Sequence, residues 1–197
     1  MTENTLDPVQ EQALIGRVQQ SQDTDAFRAL YRHYFPKVYA YVSYRMATTE
    51  DAEDLTAETF LRVVEYIESF QWRGEGSFAA WLFRIVRNLV SNYYRNHPNG
   101  KEVDLSTLNQ LKGDVKQPPD VVLEKQRAVA LRELIATLSP RRQELITLKF
   151  FGGLRNKEIA ALLGLDERTV ASHLSRGLRA LHDHYEQQYV MTEEDPQ

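Results

Sequence analysis

The chain has 197 residues and a mass of 22.9 kDa, a size that accommodates one ordinary domain or two small ones. Hydrophobic residues make up 42% and charged residues 26%, which excludes wholly disordered, collagen-like and low-complexity chains. No apolar run approaches the roughly 20 residues of a membrane span, and the N-terminus lacks the pattern of a secretory signal. Because the chain has no cysteine, disulfides and thiolate zinc sites are excluded and a reducing cytoplasm is the expected location.

The formal net charge of −4 hides an uneven distribution of charged residues. Residues 50–68 contain seven acids and one base, whereas residues 71–101 contain five bases and one acid. Between residues 139 and 185 eight lysines and arginines outnumber five acids, and the tail from residue 186 is acidic again. This arrangement, more than the total charge, requires an explanation.

Helical periodicity runs through most of the chain without a convincing strand pattern, which predicts an all-α fold. Pro36 is expected to kink the second helix, because proline removes a backbone donor and clashes with the preceding turn. Thr48 or Thr49 is the expected N-cap of the third helix, and Ser77 that of the fourth. The first four predicted helices span residues 8–20, 25–46, 49–70 and 78–95.

Residues 98–121 break the periodicity with glycine, proline and scattered charges, which predicts a flexible linker. Relaxed, it would span about 25–30 Å, and fully stretched about 80 Å. The predicted organisation is two small helical domains, residues 1–97 and 122–187, joined by this linker and followed by an acidic tail at 188–197. The second domain contains a helix start at Ser139-Pro140. Its first helix is expected to present an apolar face of Leu123, Val129, Ala130, Leu134 and Leu138.

Residues 156–174 have the form of a helix-turn-helix. Ala160 is small where the two helices would cross, and Gly164 follows four residues later, where the turn needs a positive φ. Asp166 is the expected N-cap of the second helix. The predicted apolar seam consists of Ile159, Leu163, Leu165, Val170 and Leu174.

The second helix of this motif separates apolar from basic side chains. Arginine and serine after a glycine turn are suited to reading the major groove and contacting phosphates. The alternative is an ordinary amphipathic helix with a solvated basic face, and the alanine–glycine spacing favours DNA. His173, on the flank, fits a surface histidine as well as a base contact. The predicted apolar face holds Val170, Leu174, Leu178 and Leu181, and the opposite face Arg168, Ser172, Ser175, Arg176 and Arg179.

The third helix carries an acidic stripe that includes a leucine. Solvated faces seldom need a leucine, whereas partner-binding faces often carry an apolar anchor ringed by charge. The alternatives are a charged solubilising face and a Mg²⁺ or Ca²⁺ site, although the spacing lacks a ligand loop. The stripe comprises Asp54, Glu58, Leu61 and Glu65, flanked by Glu50, Asp51 and Glu68. The opposite face, expected in the core, comprises Ala52, Thr59, Val63, Tyr66 and Phe70.

The fourth helix is also two-sided and follows a glycine-containing loop at residues 71–77. Arginines beside aromatic residues suit single-stranded nucleic acid, because arginines hold the backbone while rings or pockets receive unstacked bases. The alternative for Trp72, Trp81, Tyr93 and Tyr94 is structural packing, which is preferred for Trp81. Phe78, Leu82, Ile85 and Leu89 are expected to be buried, and Arg84, Arg87, Asn88, Ser91 and Arg95 to project outward.

Two stretches near the middle of the chain, DAEDLTAETFLRV at 51–63 and RGEGSFAAWLFRIVRN at 73–88, resemble region 2 of extracytoplasmic-function sigma factors. The segment LSPRRQE at 138–144, with the helix-turn-helix after it, resembles region 4 of the same family. The order of the two regions and their separation by a short linker also match. The resemblance covers nearly the whole chain.

The resemblance implies a protein that joins core RNA polymerase, directs it to a promoter, helps to melt the DNA and is later released. Implied contacts with the polymerase clamp are Asp51, Asp54, Leu55, Glu58, Leu61 and Glu65. Implied contacts with the melted minus-ten element are Trp72, Arg73, Arg84, Arg87, Asn88, Ser91, Asn92 and Arg95. Implied contacts with the duplex minus-thirty-five element are Arg155, Lys157, Arg168, Thr169, Ser172, His173, Arg176 and Arg179.

The resemblance further implies an anti-sigma factor as a partner, with no cofactor, small-molecule substrate or membrane insertion. If the two promoter elements lie about two helical turns apart, roughly 70 Å, the linker must stretch across the polymerase. Four positions depart from the family pattern. Ala57 replaces a usual glutamine, Asn92 a common aspartate, and Ala171 and His173 frequent arginines. The last two weaken the expected minus-thirty-five contacts.

Two other classes of protein compete with this interpretation. A free-standing helix-turn-helix regulator explains the carboxy-terminal half, and it should dimerise on a palindrome, but it gives the acidic stripe no role. The sequence does not support an enzyme, because it has no phosphate-binding loop, no HExxH motif and no serine nucleophile with a partnering base. His182 and His184 form a conceivable metal pair, without carboxylates at metal-ligand spacing.

Overall fold

The computed structural model describes residues 6–97 and 119–189, and within the second range the side chains of residues 119–126, 128, 188 and 189 are outside the description. Every regular element in these ranges is a helix, which confirms the predicted all-α class. The described chain divides into two compact units: unit 1 comprises residues 6–97 and 147–167, and unit 2 comprises 119–146 and 168–189. Most of the predicted linker, and the acidic tail beyond residue 189, lie outside the described residues.

The helices follow one another in the order expected from the sequence. They are α1 (Pro8–Ser21), α2 (Thr24–Arg45), α3 (Thr49–Tyr66), α4 (Ser77–Asn96), α5 (Pro119–Ala136), α6 (Pro140–Phe150), α7 (Asn156–Leu163) and α8 (Glu167–Tyr189). A short 3-10 turn, Ile67–Ser69, follows α3. None of the helices in the described ranges combines the length and the apolarity that crossing a membrane requires.

Helices α1 to α4 build the core of unit 1. Asp23 caps α2, where its carboxylate accepts hydrogen bonds from the backbone N–H groups of Asp25 and Ala26 at 2.9 and 3.0 Å. Helix α2 continues through Pro36 to Arg45 as one element. Val38 and Tyr41 of α2 are fully buried. They belong to a core that also includes Phe78, Leu82 and Phe83 of α4.

Helix α3 begins as predicted and ends earlier than predicted. Thr48 is its N-cap, because the hydroxyl accepts a hydrogen bond from the N–H of Asp51 at 3.1 Å. The regular helix stops at Tyr66, and in the turn after it the carbonyls of Ile67 and Phe70 accept hydrogen bonds from the side-chain amide of Gln19, at 2.7 Å each. Tyr66 is 45% exposed, so its predicted place in the core is wrong.

Two predictions for α4 are corrected. Gly76, at φ 79°, is the N-cap, whereas Ser77 is the first helical residue and its hydroxyl accepts from the N–H of Arg73 at 3.2 Å.

Helices α2, α3 and α7 all pack against α4, which makes its buried face wider than predicted. The fully buried residues of α4 therefore include Phe83, Val86 and Val90, while Ile85 and Leu89 are half-buried.

In unit 2 the end of α5 is fastened to the start of α6. The side-chain amide of Gln143 donates to the carbonyls of Ala136 and Leu138 at 3.0 and 2.7 Å. Helix α6 begins at Pro140, which confirms the predicted start. On the predicted face of α5, Leu138 is buried, Val129, Ala130 and Leu134 are half-buried, and Leu123 lies outside the described side chains.

The turn after α7 adopts the predicted conformation. Gly164 has a φ of 64°, and its N–H donates to the carbonyl of Ala160. Of the predicted seam, Ile159, Val170 and Leu174 are buried and Leu163 and Leu165 are half-buried. Leu178 is 45% exposed, so its predicted place on the apolar face of α8 is wrong. Gly177 is buried instead, and a Cβ there would lie 3.5 Å from the side chain of Ile146.

Candidate nucleic-acid and polymerase interfaces

The acidic stripe of α3 is exposed and contains an exposed leucine. Leu61 is 69% exposed, with Asp54 and Glu65 also exposed and Asp51 and Glu58 half-buried. Leu55, by contrast, is only 8% exposed and packs in the core of unit 1. The stripe thus presents one apolar side chain among carboxylates.

Arg62 is the base within this stripe. Its guanidinium donates to the carboxylates of Glu65 at 3.0 Å and Glu58 at 3.4 Å, and these hydrogen bonds, led by that of Glu65, raise the pKa of Arg62. All three side chains are about half exposed to water, so these ion pairs contribute little to stability. The two ion pairs link the carboxylates of Glu58 and Glu65 along the stripe.

The predicted minus-ten residues lie on α4 and the loop before it. Arg95 donates to the side-chain carbonyl of Asn92 at 2.9 Å, which orders the last turn of the helix. Trp72 and Arg87 are half-buried, whereas the exposed members are Arg73, Arg84, Asn88, Ser91, Asn92 and Arg95.

The aromatic residues of this region serve mainly to hold the structure together. Trp81 packs against Phe70 and Phe78, with ring centroids 5.2 and 5.4 Å apart, as the packing interpretation predicts. The Tyr94 hydroxyl donates to the carbonyl of Arg45. Burial and a hydrogen bond with Asp51 raise the pKa of Tyr93 to about 12. The tyrosine pair therefore ties the end of α4 to the neighbouring helices.

A pocket of about 450 Å³ opens beside Trp81. Arg73, Glu75 and Arg84 contribute polar groups to its wall, and Phe70 and Trp81 contribute rings. Lys157 and Ala161 of α7 complete the wall. Rings and arginines around a pocket of this size are what an unstacked base requires.

Two of the predicted minus-thirty-five residues, Arg155 and Lys157, belong to unit 1. The Arg155 guanidinium donates to the carboxylate of Glu158 at 2.8 and 3.1 Å and also to the carboxylate of Glu75. Although burial opposes it, the net effect of these hydrogen bonds is to raise the pKa of Arg155. Lys157 is exposed.

The remaining minus-thirty-five candidates lie on α8 in unit 2. The Arg176 guanidinium donates to the Ser172 hydroxyl at 2.6 Å and to the Ser172 carbonyl at 3.3 Å. Nδ1 of His173 is buried and has no hydrogen-bond partner within the described part of the chain, so this edge of the ring faces inward. Arg168, Arg176 and Arg179 are exposed, and Thr169, Ser172 and His173 are half-buried.

The histidine pair considered as a metal site lies near the end of α8. His182 lies 3.2 Å from the carboxylate of Glu186 and both side chains are exposed. Over the residues that the structure describes, no three His, Asp or Glu side chains come together as a metal site would require.

Comparison with known proteins places the chain in a family. The family model for sigma-70 region 2 matches residues 30–98, and the model for sigma-70 region 4 matches residues 128–181. Together the two matches cover more than half of the chain, in the order predicted. The chain belongs to the extracytoplasmic-function sigma factors of the sigma-70 family.

Individual relatives agree with this assignment. The sigma factor is 36% identical over 162 residues to the ECF RNA polymerase sigma factor BldN of Streptomyces coelicolor. The match covers 82% of this chain and 61% of BldN, so the chain spans about three fifths of that relative's length.

Solved structures share the fold. CnrH, in complex with the cytosolic domain of CnrY, gives a TM-score of 0.65 at 22% identity, over 90% of this chain and 97% of that chain. The sigma factor RpoE from Bartonella quintana, in complex with the anti-sigma factor NepR, gives a TM-score of 0.55 at 22% identity. The match covers 81% of this chain and 96% of that chain.

Sequence reasoning missed the polar cluster that surrounds Arg155 in this sigma factor. Glu75 stands in the loop before α4 and Glu158 in α7, 83 positions apart in the sequence. The spacing of Arg155 and Glu158 at the start of α7 was a usable signal, because a glutamate three residues after an N-cap commonly bonds back to it. Nothing in the sequence indicated Glu75 as the second partner.

Proposed function

We propose that this sigma factor binds core RNA polymerase, directs it to specific promoters and helps to melt the DNA for initiation. One observation carries the proposal: the chain exposes an acidic stripe with an apolar anchor on α3 and separate arginine-bearing surfaces on α4 and α8. A free-standing helix-turn-helix regulator would use the surface of α8 and leave the other two without a role.

The stripe on α3 supplies the polymerase contact. The apolar side chain of Leu61 is exposed and can be buried against a partner. The carboxylates around it can pair with basic residues of the partner at the rim of the interface. Asp51, Asp54, Glu58 and Glu65 are the charged residues of this contact. Leu55 would act indirectly, because its buried side chain positions α3 against the core.

The surface of α4 and the loop at 71–77 supply the minus-ten contact. Arg84, Arg87 and Arg95 would hold the backbone of a separated strand, and the pocket beside Trp81 would receive an unstacked base. Trp72, Arg73, Asn88, Ser91 and Asn92 complete this surface.

The surface of α8 supplies the minus-thirty-five contact. Arg176 is held by Ser172, so its guanidinium is oriented before DNA arrives, and less side-chain entropy is lost on binding. Arg168, Thr169, Arg179 and His173 lie on the same helix, and Arg155 and Lys157 near α7 would contact phosphates once they reach the duplex.

The chain would act through binding, not through catalysis, and in the cytoplasm where RNA polymerase works. Because the chain is acidic overall, the free protein should bind duplex DNA poorly until polymerase covers the acidic stripe. Region 2, within residues 1–97, would bind the minus-ten element, and region 4, within residues 122–187, would bind the minus-thirty-five element. The linker at residues 98–121 would span the distance between them. An anti-sigma factor is the proposed inhibitor, by analogy with the NepR complex.

Run-off transcription with sigma-free core polymerase and a randomised promoter library tests the proposal. Wild type should start transcripts. Leu61→Ala should lower the affinity for core by about tenfold, whereas Val9→Ala, at an exposed position of α1, should not.

Arg176→Ala should weaken transcription from the selected promoters and reduce the salt slope of binding by about one. Arg28→Ala, at an exposed arginine of α2, is its matched control. If wild type starts no transcripts and instead shifts a palindromic duplex alone, the regulator interpretation replaces this one.

A further inference from the structure

His173 lies on the flank of α8, between the buried side of the helix and its exposed arginines. At about 100° per residue, the buried Val170 and Leu174 lie to one side of it and Ser172 and Arg176 to the other. The residue as a whole is half-buried, but its Nδ1 atom is fully enclosed. One edge of the imidazole therefore faces the core of unit 2, and the edge with Nε2 is left toward the surface of α8.

The packing around α8 explains why the Nδ1 edge is enclosed. Gly177 lies one turn after His173 and is buried, and a Cβ there would lie 3.5 Å from the Ile146 side chain and 3.8 Å from Cβ of Arg142. Helix α6, which carries Ile146 and Arg142, therefore approaches α8 closely on this side. The imidazole can meet a ligand only through its outer edge.

The enclosed Nδ1 atom decides which ring nitrogen carries the proton. Nδ1 of His173 has no hydrogen-bond partner among the residues that the structure describes. A neutral imidazole has one N–H group and one bare nitrogen, and a buried N–H group without an acceptor is rare in proteins because it is costly. The proton therefore belongs on Nε2, where water or a ligand can accept it. His173 is thus a neutral hydrogen-bond donor at its outer edge.

The four bases differ in what their major-groove edges offer to a single N–H donor. Guanine presents two neighbouring acceptors, N7 and O6, whereas cytosine presents an amino donor. Adenine places an amino donor beside N7, and thymine places a methyl group beside O4. A donor with no acceptor next to it therefore favours guanine and disfavours cytosine.

We infer that Nε2 of His173 donates a hydrogen bond to N7 of a guanine in the major groove, and that this contact selects guanine at one position of the minus-thirty-five element. The inference rests on the proposed function, and it decides between the surface histidine and the base contact that the sequence left open. Because the neutral imidazole adds no charge, it contributes to the choice of sequence. The salt dependence of binding is left to Arg168, Arg176 and Arg179.

The position of the proton can be tested without DNA or polymerase. Nitrogen-15 correlation spectra of the full chain at about pH 8, where free imidazole is neutral, distinguish a protonated from a bare ring nitrogen. The chain has five histidines, and the signal that disappears in His173→Gln identifies this one. A bare Nδ1 and a protonated Nε2 are expected. A ring protonated at Nδ1 would overturn the inference.

Base analogues test the contact itself. Run-off transcription by the holoenzyme from promoters with a randomised minus-thirty-five element should select guanine at one position that His173→Ala no longer distinguishes. At that position 7-deazaguanine, which lacks N7, should lower the promoter affinity of the wild type by about three- to tenfold and that of His173→Ala hardly at all. Inosine, whose major-groove edge is that of guanine, should bind as guanine does. Equal losses on 7-deazaguanine in both proteins would overturn the inference.

Matched variants separate the donor from the ring that carries it. The amide nitrogen of glutamine reaches about as far as Nε2 of histidine, whereas that of asparagine reaches about as far as Nδ1. His173→Gln should therefore keep the sensitivity to 7-deazaguanine, and His173→Asn should lose it. His182→Ala, which removes an exposed histidine further along α8, should keep both the sensitivity and the guanine preference. Loss of the sensitivity in His173→Gln would contradict a contact through Nε2.

The salt dependence distinguishes a base contact from a phosphate contact. His173→Ala should lower promoter affinity without changing the slope of log affinity against log salt, whereas a lost phosphate contact would reduce that slope by about one. A reduced slope in His173→Ala would overturn the inference. Failure of the proposed function has a different signature, because wild type would then start no transcripts from any promoter in the library.

Discussion

The Tyr34 hydroxyl donates a hydrogen bond to the buried carboxylate of Glu11 and so links α1 to α2 inside unit 1. Burial raises the pKa of Glu11, and the hydrogen bond from Tyr34 partly offsets the rise. Burial and the neighbouring carboxylate also raise the pKa of Tyr34 well above its ordinary value. The pair is a polar link whose contribution to stability depends on the protonation of Glu11.

The stability of unit 1 should depend on pH through Glu11. A carboxyl whose pKa is higher in the folded chain binds a proton more tightly there than in the unfolded chain. Its contribution is therefore fully present below the unfolded pKa of 4.5 and is lost as pH rises through the folded pKa. Urea unfolding from about pH 4.5 to about pH 7.5 should show wild type losing stability relative to Glu11→Gln. Tyr34→Phe should steepen this loss; a difference independent of pH would contradict the assignment.

Two buried threonines of α3 should respond to valine in opposite directions. The Thr56 hydroxyl has no hydrogen-bond partner among the residues described, whereas the Thr59 hydroxyl donates to the Leu55 carbonyl at 2.8 Å. Thr56→Val should stabilise the chain by about 1 kcal/mol, because an unsatisfied polar group is removed without changing the shape. Thr59→Val should cost about 0.5–1.5 kcal/mol. Thermal or urea unfolding measures the stability of both variants. A loss of stability in Thr56→Val would show that the Thr56 hydroxyl is hydrogen-bonded in the wild type.

The two leucines assigned to the polymerase contact should differ in stability. Leu55→Ala should destabilise the chain by about 2–5 kcal/mol, because the side chain is buried. Leu61→Ala should change the free energy of unfolding by less than about 0.5 kcal/mol, because the side chain is exposed. Chemical denaturation distinguishes them. Similar losses in both variants would mean that Leu61 also packs in the core.

Asp51 should control the titration of Tyr93. Burial and the hydrogen bond with Asp51 place the pKa of Tyr93 at about 12, so Asp51→Asn should lower that pKa toward the ordinary value of 10.0. Carbon NMR of labelled tyrosine resolves this residue among the ten tyrosines of the chain. Glu53→Gln, at an exposed position two residues along α3, should leave the Tyr93 titration unchanged.

The sequence predicted the helices well because each has a local signal. Thr48, Ser139-Pro140 and Gly164 are caps and turns whose chemistry acts within a few residues, and the structure confirms all three. The exposed leucine of the acidic stripe was predicted by the same kind of local periodicity.

The errors arise where distant parts of the chain meet. Gln19 of α1 bonds to the turn that follows α3, where the sequence predicted a longer helix. Packing by three helices buries Val86 and Val90 of α4, whereas the predicted Ile85 and Leu89 are half-buried. The contact of Glu75 with Arg155 joins positions 80 residues apart. Periodicity along one helix contains no information about partners that arrive from elsewhere in the chain.

Gly164 illustrates a constraint imposed by the backbone alone. A Cβ at this position would meet nothing within 4 Å, yet φ is 64°, where most side chains are disfavoured by roughly 1–2 kcal/mol. Evolutionary tolerance at position 164 should therefore follow the left-handed preferences of the amino acids and not their volume. Asparagine, which visits this conformation readily, is the expected substitute, whereas valine, with its branched Cβ, should be rare.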